Sequence, residues 1–284
     1  PGISMPYGRS WSCLIEPAVS PKRAMYLRDM RRQSRRVRLW QLAILVGFFA
    51  FWELSCRVGL SDGFLVSSPS RIAATFLSLC RSGDVLLHVG VSCWETAVGF
   101  LLGTAAGTVV AVAMWWWPTL SRVLDPYLVV LNALPKTALG PIFIVWMGAG
   151  TGAIIVMTLA ISLIVTILNM YEGFRATDAQ KTRLMAAMGA SRWQLLRMLV
   201  FPANYATLLN TLKVNVGLSW VGVIMGEFLV SRAGLGYLIV YGSQVFNMDL
   251  VMTSVLLLLV AAVVMYRLVL WVEKILYRLL GVKA

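Results

Sequence analysis

The sequence predicts an all-α polytopic membrane protein with six transmembrane helices and a water-facing two-helix loop. Three observations carry this. Of 284 residues, 59% are hydrophobic and 13% are charged, whereas soluble domains average roughly 25% charged residues. The apolar residues fall in blocks near the ~20-residue length that a spanning helix needs. One polar, basic island, residues 175–202, interrupts those blocks.

In chain order, residues 1–37 form a basic segment, carrying Arg9, Lys22, Arg23, Arg28, Arg31, Arg32, Arg35 and Arg36. Residues 1–24 contain Pro, Gly and Ser without periodicity and are expected to be disordered or an upstream extension, with Met25 and Met30 as candidate starts. The transmembrane domain, 38–284, is expected to hold spans near 39–58, 90–114, 127–148, 153–171, 205–230 and 249–272. Between the first two spans, Pro69-Ser70 followed by Ile72, Phe76 and Leu77 predicts a short amphipathic helix at the outer interface. Trp115–Trp117 with Pro118 reads as an interfacial anchor at the inner end of the second span. Gly99, Gly103 and Gly107 make a flat stripe on that span, the pattern that lets a second helix approach closely.

Lys and Arg collect on the cytoplasmic side of membrane proteins. The basic start, Arg122, the 175–202 island and Lys274, Arg278 and Lys283 all fall on one side of a six-span arrangement. Both termini and the island are therefore expected in the cytoplasm. The same rule accounts for the net charge of +13 without nucleic acid.

Polar residues within spans are costly and face a cavity, water or another helix. Glu53 has Arg57 one turn away, and Glu95 lies near the outer end of the second span. In the third span, Asn132, Pro135 and Lys136 combine a helix-breaking proline with two polar groups, as in broken helices that line a cavity. In the fifth span, Asn215, Ser219, Trp220 and Glu227 are candidates for a pathway lining, with interhelical hydrogen bonding as the alternative. Lys213 is expected to snorkel to the inner surface.

The island reads as two short helices with a corner at Gly189. Thr177 with Gln180, and Ser191 with Gln194, fit the capping box that satisfies a helix's first N–H groups. Gly189 suits the left-handed residue closing a helix, and Pro202 limits the second one. A folded, water-facing helix pair between spans offers a surface to a soluble partner.

Known catalytic constellations are missing. There is no GxxxxGK[ST] phosphate loop, no HExxH and no GxSxG. The four cysteines have no metal spacing, and His88 is the lone histidine, so no metal site and no catalytic residue is assigned.

The island resembles the cytoplasmic loop of ABC importer permeases, whose pattern is Glu-Ala-Ala, three residues, Gly, nine residues, Ile-x-Leu-Pro. Here Gly189 is followed ten residues later by Leu199-x-Phe201-Pro202, while Arg183-Leu184-Met185 replaces the triplet. Pro69-Ser70, His88 with Ser92, the run Leu134 to Pro141, Trp146-Met147-Gly148, and Ser219-Trp220 through Glu227 to Gly234-Leu235-Gly236-Tyr237-Leu238 extend the likeness over most of the chain. They resemble the subgroup importing nitrate, taurine, aliphatic sulfonates or thiamine precursors. Near position 95 that family usually carries Arg, and this chain has Glu95.

The resemblance implies a type I ABC importer permease fold in a bacterial inner membrane. It implies a permease subunit without its own ATPase site and without a bound cofactor. ATP and Mg would sit on two partner ATPase subunits. A second permease copy would complete the path, and an extracytoplasmic binding protein would deliver a small solute. The coupling helix is expected at about 178–188, with Asp178, Arg183, Ala186, Ala187, Gly189, Ala190, Ser191 and Pro202 forming the ATPase-coupling loop. The alternative is a stand-alone secondary transporter or channel, which would usually show inverted repeats.

Overall fold

The computed structural model describes residues 21–59 and 66–279, and among these there is no strand. The disorder expected at 1–20 lies outside the described residues, while 21–24 already belong to a helix. That helix, α1 (Pro21–Arg57), is a unit by itself. It starts well before the expected span because its arginines and lysines are good helix formers and carry the backbone on toward the apolar stretch from Leu39. Arg57 Nε meets Glu53 Oε1 at 2.8 Å across one turn.

The second unit opens on α2 (Pro69–Ser82), the expected short helix. Ser68 accepts from Arg71 N–H at its start, and Pro69 lies in its first turn, where a missing N–H costs nothing. Arg71 pairs with Asp249 at 2.8 Å, and Ser67 Oγ donates to the same carboxylate at 2.6 Å. These contacts fasten α2 to the start of α12 (Met248–Leu279).

Three helices make the centre: α3 (Asp84–Trp116), α6 (Thr151–Arg175) and α10 (Tyr205–Val230). The glycine stripe explains the contact between the first two. A Cβ on Gly99 would stand 2.6 Å from Thr158 Cβ, one on Gly107 2.6 Å from Thr166 Cβ, and one on Gly103 would overlap Ser162 Oγ. Residue numbers rise together in these contacts, so α3 and α6 run parallel. A row of small hydroxyl residues, four apart, faces a row of glycines, four apart. Each hydroxyl is satisfied within its own helix, for example Thr166 Oγ1 to Ser162 O at 2.7 Å, so close packing leaves no polar group stranded. α10 runs antiparallel to both, with Gly222 against Thr158 and Gly226 against Ile154.

α12 closes one side, where Ala261 clusters with Phe100, Val216 and Trp220. Lys213 Nζ pairs with Glu273 Oε1 at 2.8 Å, linking α10 to α12 rather than snorkelling alone. Between α10 and α12 lies α11 (Leu235–Gln244).

The stretch expected as one span at 127–148 is broken. It comprises α4 (Pro118–Ala133), a 3₁₀ turn (Lys136–Leu139) and α5 (Gly140–Met147), bent by 92°. Pro135 supplies the reason: it lacks an N–H and pushes Leu134 to an extended ψ of 137°, which ends α4. Among the described residues, five helices are long and apolar enough to cross a membrane, or six if the bent pair is one span.

Candidate functional site

The polar island folds as two short helices seated on one end of the three-helix centre. α7 (Ala179–Ala187) starts at Asp178, whose carboxylate accepts from Gln180 N–H at 2.8 Å. The cap is thus one residue later than the expected Thr177. Thr177 is used elsewhere: its hydroxyl accepts from Asn204 Nδ2 at 3.0 Å. α7 closes as a Schellman motif, with Ala190 N–H bonding Met185 O and Gly189 N–H bonding Ala186 O, both at 3.0 Å. That closure needs Gly189 at φ +81°, a conformation L side chains rarely adopt.

α8 (Arg192–Leu195) opens with a complete capping box: Gln194 N–H to Ser191 Oγ at 3.3 Å and Ser191 N–H to Gln194 Oε1 at 2.8 Å. Pro202 does not limit this helix. Helical backbone continues through a π-turn (Leu196–Val200) into α9 (Phe201–Ala203), and only Asn204 interrupts it. Widening the turn just before a proline relieves the clash of its ring with the preceding carbonyls.

The loop is held at its base and at its corner. At the base, Asn204 is buried and donates to Thr177 Oγ1 and, at 2.8 Å, to Val200 O. Near the corner, Arg192 Nη1 donates to Trp116 O at 3.0 Å, placing a guanidinium on the C-terminal carbonyls of α3, where a cation is favoured. Leu196 and Val200 enter an apolar cluster with Met114, Leu128, Ile167 and Phe174, so the second half of the loop packs on α3, α4 and α6. By contrast α7 buries no residue. Arg183, Ala186 and Ala187 are exposed, and so are the apolar side chains of Leu184, Met188 and Trp193. An apolar, exposed face on a rigidly anchored helix pair is what a docking surface requires.

The candidate pathway residues fall in two places. Asn132 and Pro135 are exposed at the α4–α5 break, and Lys136 is half-buried beside them. Lys136 Nζ donates to Asn132 O at 3.1 Å and Asn132 Oδ1 at 3.2 Å, which neutralises the C-terminal end of α4. Asn215, Ser219, Trp220 and Glu227 are buried in the three-helix centre instead. Asn215 Nδ2 donates to Thr104 Oγ1 at 3.0 Å and Thr166 Oγ1 at 2.7 Å, joining α10 to both neighbours. Glu227 accepts from Ser92 Oγ and Gly236 N–H, each at 2.5 Å. No hydrogen bond to a described residue reaches Ser219 Oγ or Trp220 Nε1.

Sequence reasoning missed Asn204 and Arg192 as the loop's anchors, since neither bond is visible without the fold. It also missed a polar recess of about 360 Å³, lined by Asn169, Glu172, Thr207 and Asn210, between the loop-side ends of α6 and α10. The Thr158, Ser162, Thr166 row was readable, because it repeats the four-residue spacing of the glycine stripe. Among the described residues, no group of three or more His, Cys, Asp or Glu could hold a metal ion.

Comparison with known proteins adds a family. Residues 99–281 match the model of the binding-protein-dependent transport system inner membrane component. SsuC of Bacillus subtilis, named for aliphatic sulfonates transport, is 26% identical over 218 residues, 76% of this chain and 79% of that protein. ThiX of Halalkalibacterium halodurans, a formylaminopyrimidine transport permease protein, is 29% identical over 66% of this chain and 74% of its own length. TauC of Escherichia coli, a taurine transport system permease protein, is 22% identical over 81% and 85% respectively. Among solved structures, a chain of the inward-facing MetNI methionine ABC transporter superposes with a TM-score of 0.58 at 19% identity, covering 66% of this chain and 93% of its own, a likeness of fold.

Proposed function

This chain belongs to the binding-protein-dependent transport system inner membrane components, the permeases of ABC importers, and from that premise we propose how it works. Two copies form a translocation path for a small solute. The solute is of the kind named for its relatives, a sulfonate, taurine or a thiamine precursor. A binding protein delivers it from outside. Each copy lays α7 against one of two ATPase subunits, which carry the ATP and Mg, while this chain binds no cofactor and has no ATPase site.

The carrying observation is the anchored loop. α7 buries no residue, yet it is joined to the centre through Arg192, Asn204 and the packed π-turn. Force applied to α7 therefore moves α3 and α6 instead of bending the loop. The contact residues on this reading are Asp178, Arg183, Ala186, Ala187, Gly189, Ala190 and Ser191, with Pro202 in the segment behind them. Leu184, Met188 and Trp193 add apolar area.

Along the path, the α4–α5 break with Asn132, Pro135 and Lys136, and the recess with Asn169, Glu172, Thr207 and Asn210, supply polar groups. Asn215, Ser219, Trp220 and Glu227 act from behind, by fixing the helices that carry the path. On this reading both termini and the loop face the cytoplasm, which the distribution of basic residues supports.

Deleting residues 178–190 should abolish co-purification of the ATPase with the full-length permease while membrane insertion persists. An ATPase that still co-purifies, or solute uptake without ATP, would overturn this reading in favour of a stand-alone transporter.

A further inference from the structure

The recess of about 360 Å³ beside the loop is placed by contacts on either side of it. On the loop side, Thr177 meets Asn204 at 3.0 Å. Toward the centre, Asn215 Nδ2 of α10 reaches Thr166 Oγ1 of α6 at 2.7 Å. Between these, a Cβ on Gly173 would stand 3.0 Å from Thr207 Cγ2, so the two helices nearly touch. This antiparallel register brings Asn169 level with Asn210 and Thr211, and Glu172 level with Thr207. The lining positions recur three and four apart on each helix, 169 to 176 on α6 and 207 to 214 on α10, so each helix offers one face. The recess stays open because α6 presents only a hydrogen and a methyl at Gly173 and Ala176. Seven residues of helix make it roughly 10 Å long. Its volume falls within the roughly 300–1,000 Å³ of small-molecule sites.

Its walls are rich in acceptors. Among the described residues, no hydrogen bond or ion pair uses the side chains of Asn169, Glu172 or Asn210. Both hydroxyls have spent their protons: Thr207 Oγ1 donates to Asn204 Oδ1 at 3.5 Å, and Thr211 Oγ1 donates to Thr207 O at 2.8 Å. What they still offer is lone pairs. The Glu172 carboxylate only accepts, and each amide can present an oxygen. No Lys or Arg lines the recess. The cations nearest in sequence are engaged elsewhere: Arg175 lies over the Tyr171 ring at 5.7 Å, and Lys213 pairs with Glu273 at 2.8 Å. An oxyanion entering would meet an unpaired carboxylate of its own sign. A solute with N–H groups would meet an acceptor at every level, and a positive charge on it would be paired by Glu172. A bare metal ion would leave most of this volume empty, and no cluster of three acidic, His or Cys ligands stands there.

We propose that this recess binds a small organic solute through amino or amidino N–H groups and refuses oxyanions such as sulfonates. Glu172 pairs with the positive nitrogen of the solute. Thr207 and Thr211 accept from its N–H groups, and the Asn169 and Asn210 amides turn whichever end it needs toward it. As a station on a translocation path the recess rests on the permease reading; as a binding site it does not. The choice between basic and acidic solutes is then made within this chain, at the loop-side end of the centre, and not by a delivering protein alone.

The test uses the full chain in lipid nanodiscs, with Cys13, Cys56 and Cys93 replaced by serine. Val214→Cys puts a thiol on an exposed, apolar wall of the recess and leaves its polar groups intact. The exposed Cys80 of α2 stays as an internal control. Neutral N-ethylmaleimide is the label, read at each site by peptide mass spectrometry. Benzamidine, an amidinium, should slow labelling at position 214 severalfold and leave Cys80 unchanged. Benzenesulfonate, of similar shape and opposite charge, should not slow it. Adding Glu172→Gln should remove the protection by benzamidine. Protection by benzenesulfonate, by neither probe, or by benzamidine despite Glu172→Gln would overturn the proposal. ATPase co-purification separates the two readings. If it persists where protection fails, the recess assignment falls and the permease reading stands. If it fails where protection persists, the recess still binds N–H-bearing solutes and the permease reading falls.

Discussion

Gly189 holds φ at +81°, and a Cβ there would meet nothing within 4 Å, so the demand for glycine is one of backbone and not of space. Gly189→Ala should therefore cost about 1–2 kcal/mol, the penalty of a left-handed L residue, seen as a lower thermal midpoint. Gly189→Val, with a branched Cβ, should abolish ATP-driven uptake in vesicles while insertion stays normal. Survival of uptake in that variant would sink the coupling role of the corner. Ser191→Ala removes the cap of α8 and should cost ~1 kcal/mol. These residues were legible because caps and closing glycines act through local geometry, which the chain carries within four or five positions. Asp178 was misread by one residue because Thr177 and Asp178 are both good caps. The choice fell to Asn204, 27 residues away from Thr177, which claims that hydroxyl. No local pattern carries such a distant claim.

Elements were legible to the extent that hydropathy defines them. α10 follows the expected 205–230, since both ends are marked by residues that cannot continue the helix comfortably. α3 runs from Asp84, earlier than the apolar pattern implies, because His88 and Ser92 are used inside the fold and not by water. The break before Lys136 was readable from Pro135, but its 92° angle depends on what α5 packs against. The glycine stripe gives a sign test between two glycines of the centre. Gly103→Ala places its methyl on Ser162 and should destabilise by about 1–3 kcal/mol, as overpacking does. Gly217→Ala meets nothing within 4 Å and should be neutral or stabilise by up to ~1 kcal/mol, the helix propensity gain. Equal effects in thermal unfolding would disprove the close α3–α6 contact. The interhelical pair can be tested by exchange. Lys213→Glu should lower stability by leaving two acids together, and the added Glu273→Lys should restore it.

At the scale of the whole molecule, the arrangement predicts a sidedness that labelling can measure. With Cys13, Cys56 and Cys93 replaced by serine, the exposed Cys80 of α2 should react with an impermeant maleimide from outside intact cells. A cysteine in place of the exposed Met188 should react only after the membrane is opened. The reverse pattern would invert the assignment of both ends. One contact bears on how such a molecule handles load. Arg192 and Trp116 are 76 residues apart in sequence yet one hydrogen bond apart in space. A strain entering at the loop thus bypasses two hairpins of chain and arrives at α3 directly, with no slack to take up. Stiffness of this protein between its loop and its centre is then shared by that guanidinium, the buried Asn204 and the packed π-turn, and a shorter side chain at 192 would release the corner while the base still held.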